Sequence, residues 1–427
     1  MTDYQVTEFE NGLRLLTVPM AKRDSSGVAI WVKTGGRYEP RRLSGVSHFL
    51  EHMLFKGTRK RDTRQIKEEI EGVGGVLNAF TGEEATCYFA KILRRHYDRA
   101  LDVLSDMVMN ATIPHVELVK ERTVILEEIK MYRDLPSHHV QDLLGELLWP
   151  RQPLGRTLSG TPEAVSRMTR ADVLGYKKDY YHHSNILVSV SGEIVHEEVC
   201  ARIQAMFPGA KARAKSRFVR AENAQTKPRT NFYEKNTEQT HLVVGLHALP
   251  RLHPDRYKLG LLHIVLGANM SSRLFEEVRE KRGLAYEIKS SIAAYQDAGA
   301  FTISAGVETK KTGQAVRVIL KELAKVRRTL VRPGELRRAK DYFMSQVYMG
   351  VEDTLDHLLW AGERFLCSGE LPDKEKIRRE VEAVTAEDIR EVSRRIFATR
   401  GLNLALIGPV PPRMQKEITC GLVIEGS

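Results

Sequence analysis

Cysteine is scarce in this chain of 427 residues: Cys87, Cys200, Cys367 and Cys420 lie far apart, with no C-x-x-C pair. That spacing excludes a disulfide framework and a thiolate zinc site, and it fits a reducing cytoplasm. Long apolar runs are missing too. Predominantly apolar stretches such as 186–190 and 402–407 fall far short of the ~20 residues that cross a bilayer, so no membrane partner is expected. The opening Met1-Thr-Asp-Tyr-Gln-Val has neither a basic segment followed by an apolar one nor an Arg- and Ser-rich amphipathic stretch. The expected place of work is therefore the compartment of synthesis, the cytoplasm.

What is present is the mix of a globular protein. Hydrophobic residues make up 42% and charged residues 28%, which leaves no case for a disordered or collagen-like chain. Lys and Arg outnumber Asp and Glu by 66 to 55, a formal +11 that could draw acidic partners. The basic residues are interleaved with acids along helical segments such as 64–71 and 375–395, the pattern of solvated helix faces, so no nucleic-acid partner is expected. The one acid-poor basic stretch, 211–220, reads as part of a linker.

The length calls for two or more domains. Strand-like runs at 5–10 and 13–18 flank an Asn11-Gly12 turn, a further strand covers 28–34, and a helix begins at 44–55. Helices follow at 64–72, 96–110 and 116–134, with a strand at 85–93. Compared with itself at an offset of 216, the chain pairs Thr169 with Thr385, Asp172 with Asp388, Val173 with Ile389, Tyr181 with Phe397 and Gly192 with Gly408. At an offset of 214, 27–32 aligns with 241–246. The same order of elements thus runs twice. The expected fold is α+β, with two homologous half-domains, each a mostly antiparallel sheet packed with helices. Their bounds are 1–208 and 231–427, joined by a polar linker at 209–230.

The most informative segment is Ser47-His48-Phe49-Leu50-Glu51-His52-Met53-Leu54-Phe55. At about 100° per residue, Glu51 and His52 fall within ~60° of His48 on the helical wheel. Two imidazoles one turn apart can reach the same Zn²⁺ at ~2.0–2.1 Å, and a carboxylate beside them can take a proton from water held there. Chance produces this pattern roughly 0.04 times in a chain of this composition. Phe49, Leu50, Met53, Leu54 and Phe55 make the helix largely apolar, and buried His and Glu need polar partners or a metal. A catalytic zinc wants a third protein ligand. The 116–134 helix offers Glu117, Glu121, Glu127 and Glu128, with Glu121 and Glu128 seven apart on one face, and spacing alone does not choose between them.

His48-x-x-Glu51-His52, followed 76 residues after the second His by Glu128 within Glu121-Arg-Thr-Val-Ile-Leu-Glu-Glu128-Ile, resembles the pitrilysin/insulinase (M16) family of zinc peptidases, the inverted zincins. Further marks agree: Leu77-Asn78-Ala79-Phe80-Thr81 with Glu84 and Tyr88, Pro153-Leu-Gly-Arg156 with Gly160-Thr161, and Val278-Arg279-Glu-Lys-Arg-Gly-Leu-Ala-Tyr286. The short, processing-peptidase-like members are the nearest in kind. The resemblance implies that His48, His52 and Glu128 hold one zinc per chain, that Glu51 is the general base and that Glu121 orients the site. It implies that Asn78 and Ala79 lie on an edge strand to which an extended peptide adds itself. It also implies that Arg279 and Tyr286 contact substrate backbone and the developing oxyanion. Without it, Arg279 would read as a helix-surface cation and Tyr286 as a core residue.

Because the family's short members build a chamber from four half-domains, the resemblance implies a homodimer in which Arg279 and Tyr286 complete the site of the other subunit. The expected activity is zinc-dependent endopeptidase action on unfolded peptides or presequences. The alternative is a non-catalytic chamber or assembly subunit that needs a partner. The segment matching the His48–His52 helix in the second half, around 262–267, keeps His263 but has no Glu and no second His, so one metal site is expected. His138-His139 and His182-His183 sit among polar, turn-like residues and are not promoted. Gly72-Val-Gly74-Gly75 reads as a turn, Asp134-Leu-Pro136 as a helix stop and turn, and Trp31, Trp149 and Trp360 as packing.

Overall fold

A computed structural model describes residues 4–209 and 216–427; residues 210–215 of the expected linker lie outside the described residues. The chain divides into two compact units. The first comprises Met1–Lys130, Thr157–Val219 and Tyr348–Pro372, and the second Met131–Arg156, Arg220–Val347 and Asp373–Ser427.

The first unit holds β1 (Gln5–Glu8), β2 (Arg14–Pro19), β3 (Ser25–Val32), β4 (Val76–Thr81), β5 (Thr86–Leu93) and β6 (Ile186–Gly192), in the order β1-β2-β6-β3-β5-β4. The second holds β7 (Arg229–Tyr233), β8 (Thr240–His247), β9 (Ala285–Ala294), β10 (Gly299–Val307) and β11 (Asn403–Ile407), in the order β7-β11-β8-β10-β9. Apart from β1, the orders correspond strand for strand. β2 runs parallel to β6 as β7 does to β11, and every other pairing is antiparallel.

The registers carry the internal repeat to single residues. Val28 pairs with Val190 and Leu242 with Leu406, so both sequence offsets, 214 and 216, hold across one ladder. The helices leading into β6 and β11, Arg170–Tyr180 and Ala386–Ile396, each open on a capping box, Thr169 with Asp172 and Thr385 with Asp388. Gly192 and Gly408 follow with φ of +120° and +156°, where a side chain would be strained and would also meet Ser26 or Thr240.

Alternation along β2, β3 and β6 splits the apolar residues between two faces. Leu15, Val28, Ile30, Ile186 and Val188 pack with Phe49, Leu50 and Met53 of the helix Val46–Leu54. Leu16, Ala29, Trp31 and Leu187 pack on the other face with Leu358, Ala361 and Leu366 of the helix Thr354–Ser368. In the second unit, Val140, Leu143, Leu144 and Leu148 of the helix Pro136–Leu148 cover Val243, Ala300, Ala405 and Ile407. Each sheet is thus covered on one face by a helix that the sequence carries inside the opposite half.

One local expectation changes. His138 and His139 are helical rather than in a turn, since Pro136 restarts a helix at once after Leu135, with its missing N–H cost-free in the first turn. His139 packs edge-on to Tyr233, and His183 to Phe207.

The helix Pro136–Leu148 also carries a titratable liability. Burial, with Glu146 one turn on and against the pull of Arg133, raises the Asp142 carboxyl to about 6. A carboxyl whose folded pKa exceeds its unfolded value of roughly 3.9 stabilises the fold fully below that value, and this contribution is lost as pH rises through about 6. Asp142→Asn is expected to gain about 1–2 kcal/mol at pH 7.5, after discounting for partial exposure, and nothing at pH 4. Thermal melts at both pH values check this, and an equal gain at both would refute the assignment.

Candidate metal centre

The helix Val46–Leu54 starts where two backbones touch. Gly45 has φ of +92° and a Cβ there would lie 2.6 Å from the Ser159 carbonyl oxygen; at Gly160, φ +80°, a Cβ would lie 2.2 Å from that of Ser44. In place of a side-chain cap, the buried Glu39 carboxylate accepts from the N–H groups of Gly45 (2.7 Å) and Ser47 (2.8 Å). A carboxylate at this end suits the helix dipole. The apolar residues Phe49, Leu50, Met53 and Leu54 anchor the inner face, which leaves His48, Glu51 and His52 half-buried on the other.

The helix His115–Asp134 supplies the opposing carboxylates, pinned by the buried Leu118, Ile125 and Ile129. The Glu128 oxygens lie 3.7 Å from His48 Nε2 and 3.6 Å from His52 Nε2. His48, His52 and Glu128 each offer an atom within 4.8 Å of the others, the one such cluster of three or more His, Cys, Asp or Glu among the described residues. Glu121 takes the second position: its Oε2 lies 3.1 Å from His52 Nδ1, and its Oε1 2.7 Å from Lys56 Nζ. Glu117 and Glu127 instead pair with Lys120 and Lys130 of their own helix, so of the four glutamates it is Glu128 and Glu121 that face the imidazoles.

The donors fit a zinc ion. Two ligands at ~2.0–2.1 Å from a tetrahedral ion stand roughly 3.3 Å apart, close to the observed separations, which are too long for hydrogen bonds. With Nδ1–H donated to Glu121, His52 turns the lone pair of Nε2 toward the cluster. His48 Nδ1 is buried without a hydrogen-bond partner among the described residues. Burial, then His52, lowers His48 to about 4, so the imidazole is neutral as a metal ligand must be. For His52, burial acts downward but is outweighed by Glu121, Glu128 and Glu51, and the net direction is up. Glu121 is held down by His52 and Lys56 against its own burial.

Glu51 stays outside the three-ligand cluster. Burial raises its pKa despite a 2.5 Å hydrogen bond donated by Thr81 Oγ1, which makes it the more basic carboxylate that proton transfer needs. Thr81 ends β4, the edge strand of the first sheet, and Asn78 and Ala79 lie on that same strand. The Asn78 carboxamide oxygen accepts from the Ala79 N–H at 2.8 Å.

Arg279 and Tyr286 belong to the second unit, where the structure brings them together. The guanidinium of Arg279, in the π-helical segment Phe275–Glu280, lies 4.8 Å from the Tyr286 ring centroid and 4.7 Å from that of Phe275. Tyr286, 77% exposed at the start of the edge strand β9, is not the core residue that its pattern alone suggests. A cation packed on a phenol displays two donors together. His263, on the helix Arg256–Gly267, meets Ser290 Oγ at 2.7 Å and joins no group of three converging His, Cys, Asp or Glu side chains among the described residues.

Two residues of this site escaped the sequence reading. Thr81 stood in a quoted motif without a role, and Lys56 repeats once more the four-residue spacing of His48 and His52.

Comparison with known proteins agrees. A model of the insulinase peptidases, family M16, matches residues 14–162, and one for the M16 inactive domain matches residues 167–343. A Bacillus subtilis protein named uncharacterized zinc protease YmxG is 36% identical over 94% of this chain and 97% of its own. An uncharacterized zinc protease of Rickettsia felis is 33% identical over 95% of this chain and 98% of its own. Among solved structures, a protease from Helicobacter pylori superposes with a TM-score of 0.88 at 22% identity, over 96% of this chain and 100% of that one. A Pseudomonas fluorescens structure described as a peptidase M16 inactive domain gives 0.87 at 20%, over 96% and 98%. The family model spans His48, His52 and Glu128 and the relatives match over 94–95% of the chain, so this chain belongs to the insulinase family of peptidases, M16.

Proposed function

We propose that this chain is a zinc-dependent endopeptidase acting on unfolded peptides or presequences, with one zinc per chain held by His48, His52 and Glu128. The observation that carries the reading is the convergence of these three ligands beside a half-buried Glu51 that is not itself one of them. Relatives named as zinc proteases support it.

When bound, zinc supplies Lewis acidity that polarises a peptide carbonyl and lowers the pKa of a coordinated water. Glu51 takes the proton of the attacking water and later delivers it to the leaving amine; Thr81 holds one oxygen of that carboxylate in place. The backbone edge of β4 at Asn78 and Ala79 takes up an extended peptide by main-chain hydrogen bonding, a mode indifferent to most side chains. Glu121 fixes the tautomer and tilt of His52. Arg279 and Tyr286 of a second copy donate to the oxyanion as it forms, which makes the working species a homodimer. No disulfide joins any two of the four cysteines among the described residues, and a reducing cytoplasm is the compartment we assign.

The test is hydrolysis of a panel of quenched fluorescent peptides by the zinc-loaded chain, before and after chelation, with light scattering on the active peak. Cleavage is expected to vanish with the metal and return with added zinc, from a dimer. Intact zinc binding with no cleavage of any peptide would favour a non-catalytic chamber subunit, and an active monomer would remove the cross-subunit role of Arg279 and Tyr286.

A further inference from the structure

We infer that Lys56 is a positioning residue of the metal centre, acting through Glu121 on His52; this rests on His48, His52 and Glu128 being the zinc ligands. Lys56 stands two residues beyond the helix Val46–Leu54, yet the chain keeps turning there. Phe55 is right-handed helical with its N–H on the His52 and Met53 carbonyls, and the Lys56 N–H reaches Met53 at 3.1 Å. One turn past His52, Lys56 therefore stays on the face that bears both imidazoles.

From that position, its ammonium lies 2.7 Å from Glu121 Oε1, while Oε2 of the same carboxylate lies 3.1 Å from His52 Nδ1. The carboxylate is thus held at both oxygens, by an ammonium on one side and a ring N–H on the other. Its side chain is 8% exposed and that of Lys56 20%, so this contact is screened from water far more than a surface ion pair. A carboxylate held only by His52 would be free to turn about its Cγ–Cδ bond, and its hold on the ring plane would loosen. Clamped by Lys56, it aims the His52 ring so that Nε2 faces Glu128.

A lysine at this place could instead serve only the helix, as a cation near its C-terminal carbonyls. The two roles differ in what they depend on. A helix-end role does not need Glu121, and a clamp does.

The experiment measures zinc release from the purified full chain to a chromogenic chelator, alongside thermal melts. Lys56→Met is expected to release zinc about 10-fold faster, at the low end of what loss of an outer partner costs, and Lys56→Arg to restore most of the retention. Glu121→Gln is expected to release zinc about 10–100-fold faster. The double variant Lys56→Met, Glu121→Gln is expected to release it no faster than Glu121→Gln alone. Wild-type release from Lys56→Met, or multiplied effects in the double variant, would overturn the inference while leaving the ligand assignment intact. A wild-type chain that retains no zinc would take both down.

Discussion

Glu51→Gln is expected to slow peptide hydrolysis about 10²–10⁴-fold while zinc content stays at one equivalent. The substitution keeps the shape of the side chain and its hydrogen bond from Thr81, and removes only the capacity to accept a proton. Loss of this one function raises the barrier by about 3–5 kcal/mol. Zinc content is unaffected because Glu51 is not among the three converging ligands. The measurement pairs a peptide assay with metal quantification in both proteins. Equal cleavage by the variant would end the assignment of Glu51 as base, and zinc in both with cleavage in neither would point to the non-catalytic subunit.

The second large effect is on stability. Glu84, in the turn between β4 and β5, pairs with Arg37 at 2.7 Å, their side chains 3% and 0% exposed. Glu84→Ala leaves a guanidinium in the core without its carboxylate and is expected to cost about 3–5 kcal/mol, read from urea or thermal unfolding. A loss under about 1 kcal/mol would show that solvent or another acceptor replaces the carboxylate. The pair matters to the site because it pins the loop at the end of the edge strand: Gly36 N–H and Arg37 N–H also reach the carbonyls of Gly82 and Glu83. The same guanidinium stacks 3.8 Å from the Phe218 ring centroid and donates to the Val219 carbonyl, so Phe218 and Val219 are tied to the same point.

Much of this was legible in the sequence because its signals are local or repeated. The capping boxes at Thr169 and Thr385 and the glycines Gly192 at the end of β6 and Gly408 just past β11 are short-range necessities that mark equivalent places in the two halves. His48, Glu51 and His52 share a helical face by arithmetic. Choosing Glu128 over Glu121 was not arithmetic. It depends on how the helix His115–Asp134 is rotated by Leu118, Ile125 and Ile129, and the family resemblance had to stand in for that packing. Lys56 was hidden because its four-residue spacing counts only if the turn persists past the helix end at Leu54, which depends on how the chain leaves the helix. Tyr286 looked like core because an aromatic in an apolar strand usually is; its exposure follows from its place on the edge strand β9, which no single-strand pattern reveals. The exchanged helices were hidden most deeply, since an amphipathic stripe does not say which sheet it will meet.

That exchange sets a timetable for synthesis. When Gly192 leaves the ribosome, all six strands of the first sheet exist, but Leu16, Ala29, Trp31 and Leu187 have nothing to lie under until Ser368 follows, 176 residues later. At ~5–20 residues per second that is roughly 10–35 s with one apolar face of a finished sheet open to water. The nascent chain therefore carries an uncovered apolar face during that interval, and a chain that stops between the two halves has no residues of its own with which to cover it.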